Sequence, residues 1–204
     1  MSLAWQSPEV SGIFGGSLHQ CALLLAMTGL FCLGGISILN VRKMVLASLF
    51  AALIAICAWI SIPVPPLVFT LQTFGILLTL GLLGGKWGTV TILVYLLTGI
   101  VGLPVFAGFR GGAAALLDAT GGFLWGFLLG GIAFWLLERL GKIPAMTAFL
   151  LISYACGTWW FSRYAGDVGI SAAVLTCVVP YLIPDALKLA LAYTLSIKIG
   201  RYIR

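Results

Sequence analysis

Charged residues are scarce in this chain. Asp, Glu, Lys and Arg make up 8% of its 204 residues, whereas 62% are hydrophobic. Soluble domains carry about 25% charged residues, so this chain cannot build a water-soluble surface and must be solvated by lipid. Only helices and closed barrels satisfy the backbone hydrogen bonds inside a bilayer. The apolar runs are continuous rather than alternating, which argues against a barrel. We therefore predict an all-α, polytopic membrane helix bundle.

The sequence also lacks the common catalytic and metal-binding patterns. It has one histidine, and no GxxxxGK[ST] phosphate loop, HExxH or GxSxG motif occurs in it. We therefore predict no catalytic residue, no metal, no cofactor and no ATPase activity of its own. Most of the net charge of +6 lies at the ends of apolar runs, where it determines topology. No basic patch interleaved with aromatic residues indicates a nucleic-acid partner.

Several apolar segments approach the length of about 20 residues that a helix needs to cross a bilayer. We expect crossing helices at about residues 20–40, 44–62, 69–83, 88–103, 121–140, 144–161 and 171–199. Because proline removes a backbone donor, the last helix is predicted to break near Pro184 and to begin again at Asp185. All of these helices belong to one membrane domain.

The first apolar segment has two interpretations. Its positive flank follows it instead of preceding it, which is the reverse of a signal peptide. Residues 1–43 are therefore predicted to be an extension with an accessory transmembrane helix, and residues 44–204 to be the main membrane domain. The alternative is an upstream extension that does not insert, ahead of a six-span protein.

Lys and Arg alternate along the chain in a way that predicts its topology. They are concentrated in every second link between spans, at Arg42 and Lys43, at Lys86, at Arg139 and Lys142, and in the tail at Lys198, Arg201 and Arg204. The cations of the other links, Arg110 and Arg163, each have an acid in the same loop. Positive charge marks the cytoplasmic face. We therefore expect a multi-pass protein of the cell membrane with a cytoplasmic C-terminus and an external loop at residues 108–122.

Charges inside a membrane span are costly and therefore indicate function. Asp185 and Lys188 share one face of the last helix because they are three residues apart. Arg110 lies in the external glycine-rich loop, and its planar fork matches a carboxylate. The alternatives are an ion pair that locks a broken helix and, for Arg110, an ordinary loop cation.

Polar and aromatic side chains could complete such a site. Gln72 can donate and accept hydrogen bonds, although it could equally join two helices. Phe123, Tyr154, Trp159 and Trp160 could form apolar walls, or the tryptophans could belong to an interfacial belt. A ligand with a carboxylate at one end and an amide-like ring at the other suits this set.

Small residues recur every four positions in the second span, at Ala47, Ala51 and Ala55. Such a stripe lets another helix approach closely. That helix could belong to another protein or to the bundle itself.

Five segments resemble, in order, motifs of the BioY family, the biotin-binding subunits (S components) of energy-coupling-factor (ECF) vitamin transporters. They are residues 64–73 (VPPLVFTLQT), 82–88 (LLGGKWG), 99–108 (GIVGLPVFAG), 120–123 (TGGF) and 184–188 (PDALK). The resemblance covers about residues 44–204. Asp118 and Ala119 depart from it, because the family commonly has Gly-Pro there, and Asp118 adds a negative charge near the site.

The resemblance implies a six-helix ECF S-component core that binds biotin from outside and works with a membrane coupling (T) protein and two ATPase subunits. It implies that the ligand is contacted by Arg110, Asp185 and Lys188, with Gln72 and Thr73 nearby. It also implies that the coupling protein meets the alanine stripe, Ala47, Ala51 and Ala55. The alternatives are an S component for another vitamin or a biotin precursor, and a stand-alone secondary transporter.

Overall fold

Helices dominate the part of the chain that the structure, a computed structural model, describes: residues 38–64, 67–166 and 169–203. The elements are α1 (Ile38–Trp59), β1 (Ser61–Val64), β2 (Leu67–Thr70), α2 (Gln72–Ile100), α3 (Ala114–Leu117), α4 (Gly121–Leu137), α5 (Lys142–Tyr164), α6 (Ile170–Cys177) and α7 (Val179–Ile203). Single 3-10 turns occur at Ala107–Phe109 and Glu138–Leu140. Residues 46–204 form one compact unit. The predicted helix bundle is confirmed, while the predicted first span falls almost wholly outside the described residues.

The membrane-spanning candidates agree with the predicted segments. Within the described ranges, long apolar helices occur at Val41–Trp59, Gln72–Ile100, Gly121–Leu140 and Lys142–Tyr164. Helices α6 and α7, which meet at a bend of 45°, are long and apolar enough only as a pair, as one broken span or as a re-entrant loop.

Helix α2 is a hairpin of two antiparallel arms. Gly84 has φ 78° and ψ 171°, a conformation that glycine adopts readily and other residues do not. A Cβ on Gly88 would lie 3.0 Å from Cα of Leu80, and Nε2 of Gln72 lies 3.0 Å from the hydroxyl of Tyr95. In a straight helix these pairs would be about 12 Å and about 35 Å apart. The end of one helical segment and the start of the next, predicted at Gly84 and Gly85, are therefore present, while the crossing of the membrane by each arm stays a prediction.

Two charged side chains hold the closed end of this hairpin at Gly84. The backbone N–H of Gly85, where the second arm begins, donates to Oε2 of Glu138 at 2.6 Å. Nζ of Lys142 donates to the carbonyl of Gly81, where the first arm ends, at 2.9 Å. An acid at a helix start and a base at a helix end both complement the helix dipole.

Glycines bring α4 and α5 into close contact. Gly122, Gly126 and Gly130 repeat every four residues and face α5. A Cβ on Gly126 would lie 2.9 Å from Cα of Ser153, and one on Gly122 would lie 2.1 Å from Cβ of Trp160. Small residues at this spacing let helix backbones pack closely in lipid, so α4 and α5 form a tight pair.

The predicted helix break at Pro184 is wrong. The chain bends at Val178, between α6 and α7, and Pro184 lies inside α7. Pro180 is the second residue of α7, where a backbone N–H has no partner within the helix in any case. Pro184 comes one turn later and removes a single bond, to the carbonyl of Pro180. Asp185 therefore continues a helix instead of starting one.

A short β-hairpin links α1 to α2 and was not predicted. Strands β1 and β2 pair antiparallel, with Ser61 opposite Thr70 and Ile62 opposite Phe69. Pro65 and Pro66, which join the strands, lie outside the described residues. The hairpin delivers Phe69 and Thr70 to the site described next.

Candidate substrate-binding site

A pocket lies where several elements meet. They are β2, the start of α2, the loop that joins α2 to α4, helix α5 and helix α7. It is lined by all of the residues predicted to bind the ligand: Gln72, Thr73, Arg110, Asp185 and Lys188. The cavity itself has a volume of about 90 Å³.

An ion pair forms the polar centre of the pocket. Nζ of Lys188 lies 2.8 Å from Oδ1 of Asp185, one turn earlier on α7. The two residues are 6% and 4% exposed. Buried charges are costly unless they are paired and hydrogen-bonded, so the pairing offsets part of the cost of burying the two side chains.

Lys188 also ties α7 to the β-hairpin and to α2. Its Nζ donates to the carbonyl of Thr70 at 2.7 Å and to Oγ1 of Thr73 at 3.1 Å. It lies 3.9 Å from the centre of the Phe69 ring. An ammonium group has three donors, and Asp185, Thr70 and Thr73 accept all of them. Lys188 is thus held in place by the protein itself.

Asp185 keeps room for a further donor. The hydroxyl of Tyr154 donates to its Oδ2 at 2.5 Å, and Oγ1 of Thr73 donates to its Oδ1 at 3.2 Å. A carboxylate has about four acceptor positions, and with Lys188 three are occupied by described residues. The remaining position can take an N–H of a ligand. Sequence reasoning gave Tyr154 an apolar role and missed its hydroxyl.

Gln72 joins the two arms of α2 as well as lining the pocket. Its Nε2 donates to the hydroxyl of Tyr95, which in turn donates to the carbonyl of Val105 at 3.0 Å. Gln72 is 4% exposed. The interhelical bond that sequence reasoning left open is therefore present at the edge of the pocket.

Arg110 is held by an acid in its own loop. Its Nη1 forms an ion pair with Oδ2 of Asp118. Its Nη2 donates to Oγ1 of Thr120 and its Nε to the carbonyl of Ala107, both at 3.3 Å. Oδ1 of Asp118 accepts the N–H of Ala119 at 2.7 Å. The hydrogen bond from the Ala119 N–H lowers the pKa of Asp118 below its ordinary value, and the nearby Arg110 lowers it further by a smaller amount. Asp118 is therefore ionised at neutral pH.

Two backbone hydrogen bonds fasten the glycine-rich loop around Arg110. The N–H of Phe106 donates to the carbonyl of Arg110 at 2.9 Å, and the N–H of Gly112 donates to the carbonyl of Gly99 at 2.7 Å. These bonds fix the backbone on either side of the Arg110 side chain.

The predicted aromatic walls are present in part. Phe123 and Tyr154 line the pocket. Trp159 is 59% exposed, and Nε1 of Trp160 donates to the carbonyl of Asp118 at 3.0 Å instead of lining the pocket. Sequence reasoning missed other rings that line the pocket, among them Phe69 and Tyr181, which stack on each other at 6.0 Å.

Comparison with known proteins places the chain in a family. The sequence model of the BioY family matches residues 24–204. The chain belongs to the BioY family. The match begins inside the segment predicted to be an extension, so the boundary between residues 43 and 44 stays a prediction.

Individual BioY proteins cover most of the chain. It is 39% identical over 165 residues to the biotin transporter BioY of Thermotoga maritima, covering 78% of this chain and 96% of that protein. It is 36% identical to the probable biotin transporter BioY of Pyrococcus horikoshii, with the same two coverages. The fold resembles the crystal structure of the S-component for biotin from an ECF-type ABC transporter, with a TM-score of 0.75 at 23% identity over 82% of this chain and 95% of that one.

The alanine stripe of this BioY chain is covered in the structure. Ala47, Ala51 and Ala55 are 4%, 3% and 6% exposed. The exposed face of α1 carries Leu49 and Ile56 instead, at 64% and 50%. The coupling role of the alanines stays a prediction, but they offer no open surface in this conformation.

Proposed function

We propose that this protein captures biotin as the membrane-embedded S component of an ECF transporter. The observation that carries this proposal is the convergence of Gln72, Thr73, Arg110, Asp185 and Lys188 on one pocket in a chain of the BioY family. Its relatives are named as biotin transporters, in agreement with a transport subunit and not an enzyme.

The polar centre of the pocket suits the ring of biotin. The ureido group has two N–H donors and one carbonyl acceptor. Asp185 has one acceptor position left after its bonds to Lys188, Thr73 and Tyr154, so it receives a ureido N–H. Lys188 orients Asp185, and it can reach the ureido oxygen only by giving up one of its bonds to Thr70 or Thr73.

Arg110 is the proposed partner of the valerate carboxylate. It lines the same pocket as Asp185 but is far more open, with 43% of its side chain exposed. Two guanidinium N–H groups remain after its bonds to Ala107, Asp118 and Thr120, because arginine carries five. The ring therefore lies inward at Asp185 and the tail outward at Arg110.

The pocket is proposed to open to the outside of the cell, with the C-terminus in the cytoplasm. The closed end of the α2 hairpin carries Glu138 and Lys142, near the predicted cytoplasmic positive charges. From Gly84 back to Gln72 the first arm covers about 18 Å, which is less than the hydrocarbon thickness of about 30 Å. The site thus lies below the outer membrane surface.

Energy for uptake is proposed to come from a membrane coupling (T) protein and two ATPase subunits. The chain contains no GxxxxGK[ST] loop of its own. The partners would therefore supply ATP hydrolysis, and the lipid-embedded bundle would supply ligand selection.

Titration calorimetry of the purified full-length protein tests the proposal. We expect saturable binding of biotin, weaker binding of the precursor dethiobiotin, and biotin in the mass spectrum of the small molecule that copurifies. Preferential binding of another vitamin would favour the first alternative, an S component of different specificity.

Uptake assays address the second alternative. Proteoliposomes that contain this chain alone should not accumulate biotin, whereas those that also contain the coupling protein and ATPases should do so with ATP. Accumulation by the chain alone, driven by an ion gradient, would show a secondary transporter.

A further inference from the structure

The guanidinium of Arg110 already holds a carboxylate, that of Asp118. The two residues lie eight positions apart on one loop, and Thr120 and Ala107 bind other nitrogens of the same guanidinium. Arg110, Thr120 and Ala107 line the pocket, whereas Asp118 is not among the residues that line it. Arg110 therefore links a residue outside the lining to the place where a ligand carboxylate would bind.

A ligand carboxylate at Arg110 would lie close to this internal acid. The guanidinium is small and planar, so two carboxylates bound to it are separated by a few ångströms. Like charges at such a distance repel each other. A neutral group at the same place carries no such penalty.

We propose that Asp118 is a specificity-determining residue that lowers affinity for carboxylate ligands relative to their neutral amides. The inference rests on the proposed function, in which the biotin carboxylate meets Arg110. Asp118 is outside the pocket lining and acts through the charge that it places next to the guanidinium. Its effect therefore depends on the charge of the ligand tail and not on the ring.

Solvent exposure sets the size of the effect. Arg110 and Asp118 have 43% and 32% of their side chains exposed, so water screens their interaction. Exposed charge pairs change an equilibrium by about 1.5- to 5-fold. A change in the same range is expected for Asp118, and this change should be larger at low salt and smaller at high salt.

The test compares biotin with biotin amide on the full-length protein. Both ligands compete against labelled biotin for wild type, Asp118→Asn, Asp118→Gly and Arg110→Ala, and Arg163→Gln serves as a control for changing a charge outside the pocket lining. Asparagine keeps an oxygen for the Ala119 N–H, and thermal unfolding reports whether each variant is folded. The quantity measured is the ratio of the two affinities, which a general loss of structure does not change selectively.

The expected result is a biotin-to-amide affinity ratio about 1.5- to 5-fold higher in both Asp118 variants than in wild type, with a smaller gain at high salt. A ratio that is unchanged overturns the inference, and one that falls shows instead that Asp118 positions Arg110 for the ligand. Arg110→Ala should lower the ratio. If it does not, or if wild type fails to bind biotin, the proposed function fails and this inference fails with it. An unchanged Asp118 ratio beside a normal Arg110→Ala result overturns this inference alone.

Discussion

The ammonium of Lys188 lies 2.8 Å from a carboxylate oxygen of Asp185, and its other two donors bind Thr70 and Thr73. The other donors of Lys188 bind the β-hairpin and α2, so its ammonium group is held in place and fixes the carboxylate of Asp185 in one orientation. The pair is a structural contact, and its role in ligand binding stays a prediction. It is a structural lock, between α7 and the start of α2, and it is the polar floor of the pocket.

Asp185→Asn is expected to weaken biotin binding by roughly 10- to 200-fold, because a charged hydrogen bond in a dry site contributes about 1.5–3 kcal/mol. The new amide also presents a donor to a ureido N–H. Calorimetry on the folded variant measures the change. Thr194→Ala, an exposed position later on α7, is the control and should bind as wild type does. Wild-type affinity in Asp185→Asn would remove Asp185 from the site.

Gly84→Ala is expected to destabilise the protein by about 1–3 kcal/mol, since alanine is strained at φ 78° and ψ 171°. Thermal unfolding in detergent measures this. Gly200→Ala is a matched control, because a Cβ there would meet its nearest neighbour at 4.0 Å. If both variants melted like wild type, the turn at Gly84 would not have the described conformation.

Ala51→Trp and Leu49→Trp probe the two faces of α1. Ala51 is 3% exposed and Leu49 is 64% exposed, so the first variant should lose stability and biotin binding together. The second should keep both. Binding by purified protein and uptake by the assembled transporter are measured in parallel. Ala51→Trp that binds normally but does not support uptake would show that the alanine stripe is open to the coupling protein.

Thiol labelling tests the topology in a variant without the native cysteines. A membrane-impermeant reagent applied to intact cells should label Ala113→Cys, which is exposed in the loop near Arg110. It should not label Arg201→Cys near the end of α7 until the cells are opened. Gly112 is less suitable because its φ is 90°. The opposite labelling pattern would reverse the proposed orientation.

Deleting residues 2–37 is expected to leave biotin affinity unchanged. The deletion keeps α1 whole, and every residue that lines the pocket lies within the compact unit of residues 46–204. Calorimetry on correctly folded, truncated protein provides the measurement. Loss of binding would place the N-terminal segment within the functional core.

The hydrophobic composition of the chain, together with the glycines and prolines between its apolar runs, was enough to predict the helix bundle. The glycines at 84 and 85 separate two apolar runs, and the structure reverses the chain there. The break at Pro184 was misplaced because a proline in the first turns of a helix removes few bonds, and sequence does not show where the helix begins. The β-hairpin was missed because its apolar residues extend the neighbouring helical runs.

From the sequence, only those site residues could be predicted whose chemical character stands out from their neighbours along the chain. Asp185 and Lys188 were recognisable as charges inside an apolar helix. The hydroxyl of Tyr154 and the ring of Phe69 were not, because they come from elements 31 or more residues away and carry no local pattern. The pairing of Arg110 with Asp118 depends on how the loop folds back, which the spacing of eight residues does not determine.

The bonds from Lys188 to Thr70 and Thr73 join positions 118 and 115 residues apart. During synthesis the β-hairpin leaves the ribosome long before α7 does. The contacts that join α7 to the β-hairpin and α2 therefore form only after Lys188 has been made, and a chain interrupted before that residue lacks them. In the proposed function, retention of biotin would then report that α7 has been translated, inserted and packed against the earlier elements.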